Sequence, residues 1–367
     1  MLLPLLALLS CDPGPPPTFA RARVMETLAD GIGGPKAIAA PGDIVLENEH
    51  LRIALVGQRN SLGPGIRGGS IVDADLVRAG PEFGGGRGLD QLAEVFPTVN
   101  MVVTDTDPAM LGSVEIVSDG SDGTAIVRAR GAGLPFLTLL DALYGIVGAP
   151  DFWLETDFIV EAGKPWVTMK TKVAYGFSGV GDFPEGEPLG GSTTGMPLIE
   201  WAIETGAVAG DFYLQGGSVD VFAPGIGFDE DGAVYRVMQE QGNTFLEPFR
   251  FPFLAGVADG VSYGLAPADG DMYVPLFSAS QTLGVGAGRA GVPELGRDRF
   301  PAGSAFTYDR YFFVGHGDVG SIVDQLVVAK GLPHGTVSGF VTETVTGRSV
   351  SGAEVFVYEP GAELPWS

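Results

Sequence analysis

The stretch Ile44-Val45-Leu46-Glu47-Asn48-Glu49-His50-Leu51-Arg52-Ile53-Ala54-Leu55-Val56 reads as two apolar segments joined by a polar turn. Leu51, Ile53 and Leu55 alternate with Arg52 and Ala54, the period of two of a strand that turns one face to a core. A glycine-rich loop follows, carrying Gly63, Gly65, Gly68 and Gly69, and Ser70-Ile71-Val72-Asp73-Ala74-Asp75-Leu76 opens a further strand. Most later segments repeat this strand, turn, strand grammar.

Working outward, strands are expected over Ala93–Val103, Val114–Ser118, Ala125–Ala129, Phe152–Val160, Trp166–Tyr175, Asp211–Leu214, Ser218–Phe222, Ala233–Met238, Met272–Phe277 and Thr307–Val314. Turn signals separate them: Asp119-Gly120-Ser121-Asp122-Gly123, Glu161-Ala162-Gly163-Lys164-Pro165, Asp229-Glu230-Asp231-Gly232 and Ala268-Asp269-Gly270. No repeat of 20 to 50 residues is visible, which argues against a propeller or solenoid. The segment Thr18 to Pro41 is mixed, and Glu26 to Pro35 reads as a loop or short arm. One helix is expected, Val319 to Lys330, where Val319, Ile322, Val323, Leu326 and Val327 form a single apolar stripe. Asp318 is placed to cap it, Lys330 to complement its dipole, and Gly331 with Pro333 to stop it.

Composition agrees with this. With 367 residues, 45% hydrophobic and only 18% charged, the chain has ample material for a core, while 57 Gly and 27 Pro suit many short strands joined by tight turns. The 21 basic against 45 acidic residues leave a net charge of −24, a surface that repels phosphates, so nucleic acid is not expected as a partner.

At the start, Met-Leu-Leu-Pro-Leu-Leu-Ala-Leu-Leu-Ser (Met1 to Ser10) is an uncharged apolar run too short to span a bilayer. It suits the apolar region of an export signal and is followed by the sole cysteine, Cys11, and three prolines, Pro15 to Pro17. Leu8-Leu9-Ser10-Cys11 resembles a bacterial lipobox, which implies cleavage before Cys11, attachment of diacylglycerol to its thiol, and a membrane as partner. A lone cysteine leaves no intramolecular disulfide, so the fold must rest on its core.

Beyond the helix, His334 to Thr342 and Gly352 to Tyr358 alternate as strands around a turn at Thr346-Gly347-Arg348. The run Gly335-x-Val337-x-Gly339-x-Val341, Thr346-Gly347, Val350-x-Gly352-Ala353-x-Val355 resembles the opening of carboxypeptidase regulatory-like modules, which are transthyretin-like β-sandwiches. Two strands cannot bury a core, so the sequence is expected to be the front of a longer protein. Leu46-Glu47-Asn48, Leu51 to Leu55 and Gly68-Gly69-Ser70-Ile71-Val72-Asp73 resemble the first strands of galactose-mutarotase-like supersandwiches. Catalysts of that superfamily use a histidine and a carboxylate on facing strands; His50, His316 and His334 match no such position. The whole arrangement resembles the front half of bacterial envelope proteins that continue into a polymerase-and-histidinol-phosphatase type metallohydrolase domain, none of whose His and Asp metal motifs occurs here.

Other constellations read as structure. Gly286-Ala287-Gly288-Arg289-Ala290-Gly291 fits a dinucleotide fingerprint by letter, but Pro293 and Gly296 speak against the helix it requires, and a flexible loop is expected. Gly84-Gly85-Gly86-Arg87-Gly88 lacks the lysine and hydroxyl of a phosphate loop. Asp229 to Gly232, Asp105-Thr106-Asp107 and Asp119 to Asp122 lack spaced calcium ligands and read as turns. There is no nucleophile elbow and no local zinc set. Trp153 and Trp166 are expected in the core; Trp201 and the run Phe249-Arg250-Phe251-Pro252-Phe253 are the aromatics free to stack on sugar rings.

The reading is a mainly β chain with three parts: a lipoprotein signal and Pro-rich tether (1–17), a large antiparallel, supersandwich-like β-sandwich with one short C-terminal helix (18–332), and an incomplete transthyretin-like module (333–367). No catalytic, cofactor-binding or metal-ligating residue can be named, and no cofactor is expected. The leading expectation is a non-catalytic, exported, lipid-anchored binding or scaffolding region with a carbohydrate-like or cell-wall ligand. The alternatives are a glycan-processing enzyme using carboxylates on the sandwich face, and the accessory N-terminal part of a longer metallohydrolase.

Overall fold

Asn48 makes the turn expected between the first two apolar segments: its Oδ1 accepts from the His50 and Leu51 backbone amides at 2.8 and 3.1 Å. Its amide in turn donates to the Glu161 and Lys164 carbonyls, at 2.8 and 2.7 Å, tying this turn to another far along the chain. The computed structural model describes residues 18–63, 65–99, 102–135, 151–188, 208–215, 218–228, 249–274, 283–289, 305–353, 355–363 and 365–367. The lipobox with Cys11, Trp201, Asp229 to Gly232 and the strand expected over Ala233–Met238 lie outside these.

Among the described residues the first strands are β1 (Ala20–Val24), β2 (Ile44–Asn48), β3 (Leu51–Leu55), β4 (Ile71–Leu76), β5 (Leu92–Val99), β6 (Val102–Asp105), β7 (Ser113–Asp119), β8 (Thr124–Pro135), β9 (Phe152–Glu161) and β10 (Trp166–Tyr175). After them come β11 (Glu187–Pro188), β12 (Val208–Gln215), β13 (Asp220–Ala223), β14 (Gly227–Phe228), β15 (Phe249–Phe251), β16 (Leu254–Ala258), β17 (Val261–Pro267), β18 (Met272–Val274), β19 (Leu283–Arg289) and β20 (Ala305–Gly315). The helix α1 (Gly320–Ala329), the one α-helix among the described residues, closes the series.

The chain is mainly β, and among the described residues the pairings are antiparallel except for the short β11 beside β20. They trace two runs of strands. One reads β1-β2-β3-β4-β5-β12-β19-β18-β15, the other β7-β8-β9-β10-β20-β17-β16-β13-β14, and β6 joins them by pairing with both β5 and β8. The runs pack face to face. Leu46, Ile53 and Ile71 of the first share one core with Val127, Phe158, Met169 and Phe312 of the second, each large side chain contributing about 1.5–3 kcal/mol by leaving water. Gly69, at φ +87°, permits the close approach of the layers: a Cβ there would lie 2.4 Å from the Ala129 methyl.

Polar groups also cross the core. Arg310 of β20 donates from Nε and Nη2 to Asp211 of β12, both at 2.6 Å, and from Nη1 to Thr171 Oγ1 at 2.7 Å. Burial pushes the Asp211 carboxyl up and the facing guanidinium pulls it back; two parallel bonds of this length belong to an ionised, bidentate pair. The Tyr263 hydroxyl of β17 donates across the layers to the Ala74 carbonyl and to Asp90 Oδ1 and accepts from the Gln91 amide.

Helix α1 lies on the outer face of β17 and β20 with Ile322 and Leu326 buried. Gly264 makes room for it, since a Cβ at that position would meet Ile322 at 2.3 Å. Asp318 accepts from the Ser321 amide at 2.6 Å, the capping expected from sequence. Lys330 instead reaches past the helix end to the Gly270 carbonyl at 3.0 Å.

Several expectations are corrected. The mixed segment ahead of Glu26 contains β1, absent from the expected strands: its Ala20 and Ala22 are too small to announce a strand but reach the core once β1 pairs with β2. Gly286 to Arg289, expected as a loop, belongs to β19, where Asp211 pairs with Gly286 and Val208 with Arg289; pairing partners outweigh the weak strand preference of glycine. The hairpin Leu254–Pro267 is absent from the expected strands, although its Asp259-Gly260 turn is itself a sequence signal. In the C-terminal segment the two expected strands are reduced to one bridge, Thr342 to Ser349, beside the expected turn. Val337 and Phe340 are 99% and 93% exposed, with no second layer to hold them in strands. The last residues fold back: Trp366 packs edge-on against Phe253 and the Pro365 carbonyl accepts from Gly225.

The polar groups of this core can be tested by substitution. Asp211→Ala strands a buried guanidinium and should cost about 3–5 kcal/mol in urea denaturation, while the double variant Asp211→Leu with Arg310→Met should recover most of it; a loss below about 1 kcal/mol would sink the cross-core tether. Burial, with the charge of Asp43 adding to it, pushes the Asp73 carboxyl up to about 6, and burial followed by the charge of Asp73 also pushes Asp90 well above the ordinary carboxylate value. Carboxyls raised on folding stabilise below the unfolded pKa near 4, and that contribution is lost as pH climbs through 6. Asp73→Asn should therefore gain about 2–3 kcal/mol relative to the parent between pH 4 and 7.5; parallel curves would refute this.

Candidate functional site

The strands of the second layer alternate between two environments. Phe158, Met169 and Phe312 point into the core, so Glu155, Asp157, Lys170, Lys172 and Asp309 point outward, as do Arg128 and Arg130 of β8. Register then lines them up. One row across β8, β9, β10 and β20 reads Arg128, Asp157, Lys170, Asp309, and the next reads Arg130, Glu155, Lys172, Thr307. Charges of opposite sign face each other across every pair in the first row, the arrangement that stabilises neighbouring strands.

This strip is bounded by apolar cover at both ends. At one end Trp166, Tyr311 and Phe313 pack with α1. At the other, Trp153 packs with Phe177 and Phe183 from the segment after β10. The guanidinium of Arg130 lies over the rings of Phe177 and Phe183, at 5.1 and 5.5 Å, and donates to the Gly181 carbonyl at 3.0 Å.

Within the strip, most polar atoms are spoken for. Arg128 holds both oxygens of Asp157, at 2.6 and 2.8 Å, and this bond pushes the guanidinium pKa upward. Lys172 reaches Glu185 at 3.4 Å and Lys170 reaches Asp309 at 3.6 Å. Two groups stand apart. The Glu155 carboxylate, 3% exposed, has its nearest cations at 3.8 Å (Arg128 Nη1) and 4.0 Å (Arg130 Nη1), beyond hydrogen-bond reach. Arg130 Nε is buried without a partner among the described residues. Burial raises the Glu155 pKa; Arg128 opposes that and the neighbouring charge of Asp157 adds to it.

Arg130 Nη1 also makes no hydrogen bond to the described residues, and the 4.0 Å between it and Glu155 Oε2 is a gap filled by a group that donates and accepts at once, such as a hydroxyl or water. Hydrolysis by paired carboxylates needs one acid and one free base. Glu155 has the raised pKa of an acid, but Asp157, two residues along the same face, has both oxygens bound by Arg128. The arrangement is better suited to holding a hydroxylated molecule than to cleaving one.

The residues singled out from sequence lie elsewhere. His50 sits in the turn after β2 beside Glu49, His316 precedes α1, and His334 is exposed beyond it. No group of three or more His, Cys, Asp or Glu among the described residues could hold a metal ion. Asp107, Asp119 and Asp122 each accept from a backbone amide two residues on, so these acidic runs are turns. Trp153 and Trp166 are buried, as expected, and so are Phe251 and Phe253 of the aromatic run. Sequence reading locates the strand over Phe152–Val160 but not the outward carboxylates on it; the signal is the alternation of Glu155 and Asp157 with Leu154, Thr156 and Phe158.

No family model and no curated protein matches the chain. Among solved structures, an alpha-mannosidase from Enterococcus faecalis V583 is similar over 78% of this chain and 31% of its own, at 11% identity and a TM-score of 0.37. A galactose 1-epimerase from Lactobacillus acidophilus NCFM is similar over 82% of this chain and all of its own, at 7% identity and a TM-score of 0.34. A putative aldose 1-epimerase from Klebsiella pneumoniae is similar over 85% of this chain and 94% of its own, at 9% identity and a TM-score of 0.34. The chain thus spans about a third of the mannosidase, and these likenesses assign it neither an activity nor a residue.

Proposed function

We propose that this chain is the binding region of an exported, lipid-anchored envelope protein, and that the charged strip on the outer face of β8, β9, β10 and β20 takes a neutral, polyhydroxylated ligand of carbohydrate type. The observation that carries this reading is the open pair formed by the Glu155 carboxylate and Arg130 Nη1, 4.0 Å apart in a polar strip between two aromatic clusters. A sugar presents hydroxyls that donate to the first and accept from the second, and its apolar ring face suits the half-buried Phe177 beside them.

Glycan-array screening of the full chain, followed by calorimetry on the best hit, tests this. Glu155→Gln should weaken binding about tenfold or more, the worth of a hydrogen bond to a charged acceptor. Because the carboxyl of Glu155 titrates above the ordinary glutamate range, parent affinity should fall as pH drops through that raised pKa and its acceptor is lost, whereas the Gln variant should show a flat profile. A hit unaffected by Glu155→Gln and Arg130→Gln, or no retained glycan at all, overturns the reading. Release of reducing sugar, lost in Glu155→Gln, would move the assignment to the glycan-processing enzyme.

The anchor rests on Leu8 to Cys11. Cys11→Ala should transfer the protein from the membrane pellet to the soluble fraction, and a variant that stays in the pellet removes the lipid anchor from the proposal.

A further inference from the structure

A second concavity lies on the other layer, where the N-terminal arm, the end of β4 and the glycine-rich loop after it meet. It encloses about 180 Å³ and is lined by Ile32, Arg52, Asp75, Arg78, Phe83 and Gly84, among others. That is below the 300–1,000 Å³ typical of sites for drug-sized ligands, so only a small group enters.

Its two arginines are anchored by one edge each. Arg52 donates from Nε to Glu47 at 2.9 Å and from Nη2 to the Asp30 and Gly31 carbonyls at 3.1 and 3.2 Å. Arg78 grips Asp75 through Nε and Nη2 and donates from Nη2 to the Gly260 carbonyl at 2.6 Å. In both side chains Nη1 has no hydrogen bond to the described residues, so each guanidinium is oriented and still carries free N–H groups. Asp75 has nothing left to offer: besides Arg78, its oxygens accept from the Leu76 and Leu89 amides at 2.8 Å each. The uncommitted polar atoms of these three side chains are therefore donors alone.

Charge points the same way. Glu47 is shared by Arg21, Arg23 and Arg52, with Asp30 also facing Arg23. Arg87 braces the lip by donating to the Gly84 and Pro81 carbonyls, and Glu82 folds back over Gly80. The cleft itself is lined by two guanidinium groups, Arg52 and Arg78, and one carboxylate, Asp75, in a protein with 21 basic residues and a net charge of −24. The ring of Phe83, 5.6 Å from the Arg78 guanidinium, with Ile32 and Leu76, supplies an apolar wall.

We propose that the cleft between Arg52 and Arg78 binds a small oxyanion, a carboxylate or phosphoryl group carried on a body no larger than a single sugar ring. Guanidinium donors held rigid at one edge match two oxygens of such a group. The site is separate from the strip around Glu155 and stands or falls independently of it.

The test is calorimetric titration of the full chain, at low ionic strength, with glucuronate, with inorganic phosphate and with glucose as the neutral control. Glucuronate or phosphate should bind with Glu155→Gln leaving that binding unchanged, whereas glucose should not bind the Glu155→Gln chain, in which the separate strip has lost its acceptor. Binding of glucuronate alone assigns the carboxylate, and of phosphate alone the phosphoryl group. Arg78→Gln should weaken the interaction about tenfold or more. Because Arg78 also supports the loop, Gly84→Leu serves as the second variant: Gly84 has ordinary φ, and a Cβ there meets only the Pro81 carbonyl at 3.7 Å, so the new side chain fills the mouth without disturbing the fold. It should abolish binding at an unchanged melting temperature. Absence of binding by both anions at millimolar concentration, or binding that survives Gly84→Leu, overturns the proposal.

Discussion

The contact on which the two layers depend is the bidentate bridge from Arg310 to Asp211. Both residues are fully enclosed, and removing two charges from water costs more than most pairs return. What makes the bridge tolerable is the completeness of its bonding. Arg310 uses Nε and Nη2 on the carboxylate and Nη1 on Thr171, Thr171 is bonded to Thr156 at 2.7 Å, and the Tyr308 ring lies 4.4 Å from the guanidinium. Such a network accepts one relative placement of β12 against β9, β10 and β20. Apolar packing alone permits several.

Fixing those strands fixes both of their faces. A strand cannot shift by one residue without exchanging its sides, so the register that brings Arg310 and Thr171 inward also sets Asp309, Lys170 and Lys172 outward, in line with Arg128 and Asp157. The charged strip is thus the reverse side of the core. Its open acceptor and donor, Glu155 and Arg130 Nη1, are supported by the same strands and by the Phe177 and Phe183 rings, which hold the guanidinium in place without bonding to Nη1. Rigid placement of an incompletely bonded pair distinguishes this strip from an ordinary solvated face, where side chains move until their bonds are made.

Much of the architecture was legible in the chain. Alternation over Trp166–Tyr175 matched the strand to the residue, and the apolar stripe of Ile322 and Leu326 with Asp318 ahead of it located the helix. The failures share a cause. Residues 286–289 are two glycines, an alanine and an arginine, so they have little strand preference of their own, and they form a strand because β12 lies beside them. Conversely, Val337 and Phe340 alternate well, yet a strand pattern with no layer to cover it leaves them in water. Local pattern reports what a segment can become; the partner decides whether it does.

By itself the sequence determined the mainly β class, the chief turns, the helix and the acidic surface, because these follow from periodicity, turn chemistry and composition within short windows. The tertiary structure decided which charges meet. Arg128 stands opposite Asp157, Arg310 opposite Asp211, and Arg52 and Arg78 line one cleft with the Ile32 arm. Those pairs lie 29, 99 and 26 residues apart, and no local rule links them. Electrostatic energy depends on distance and burial, and both are set only when the strands have paired and the layers have closed.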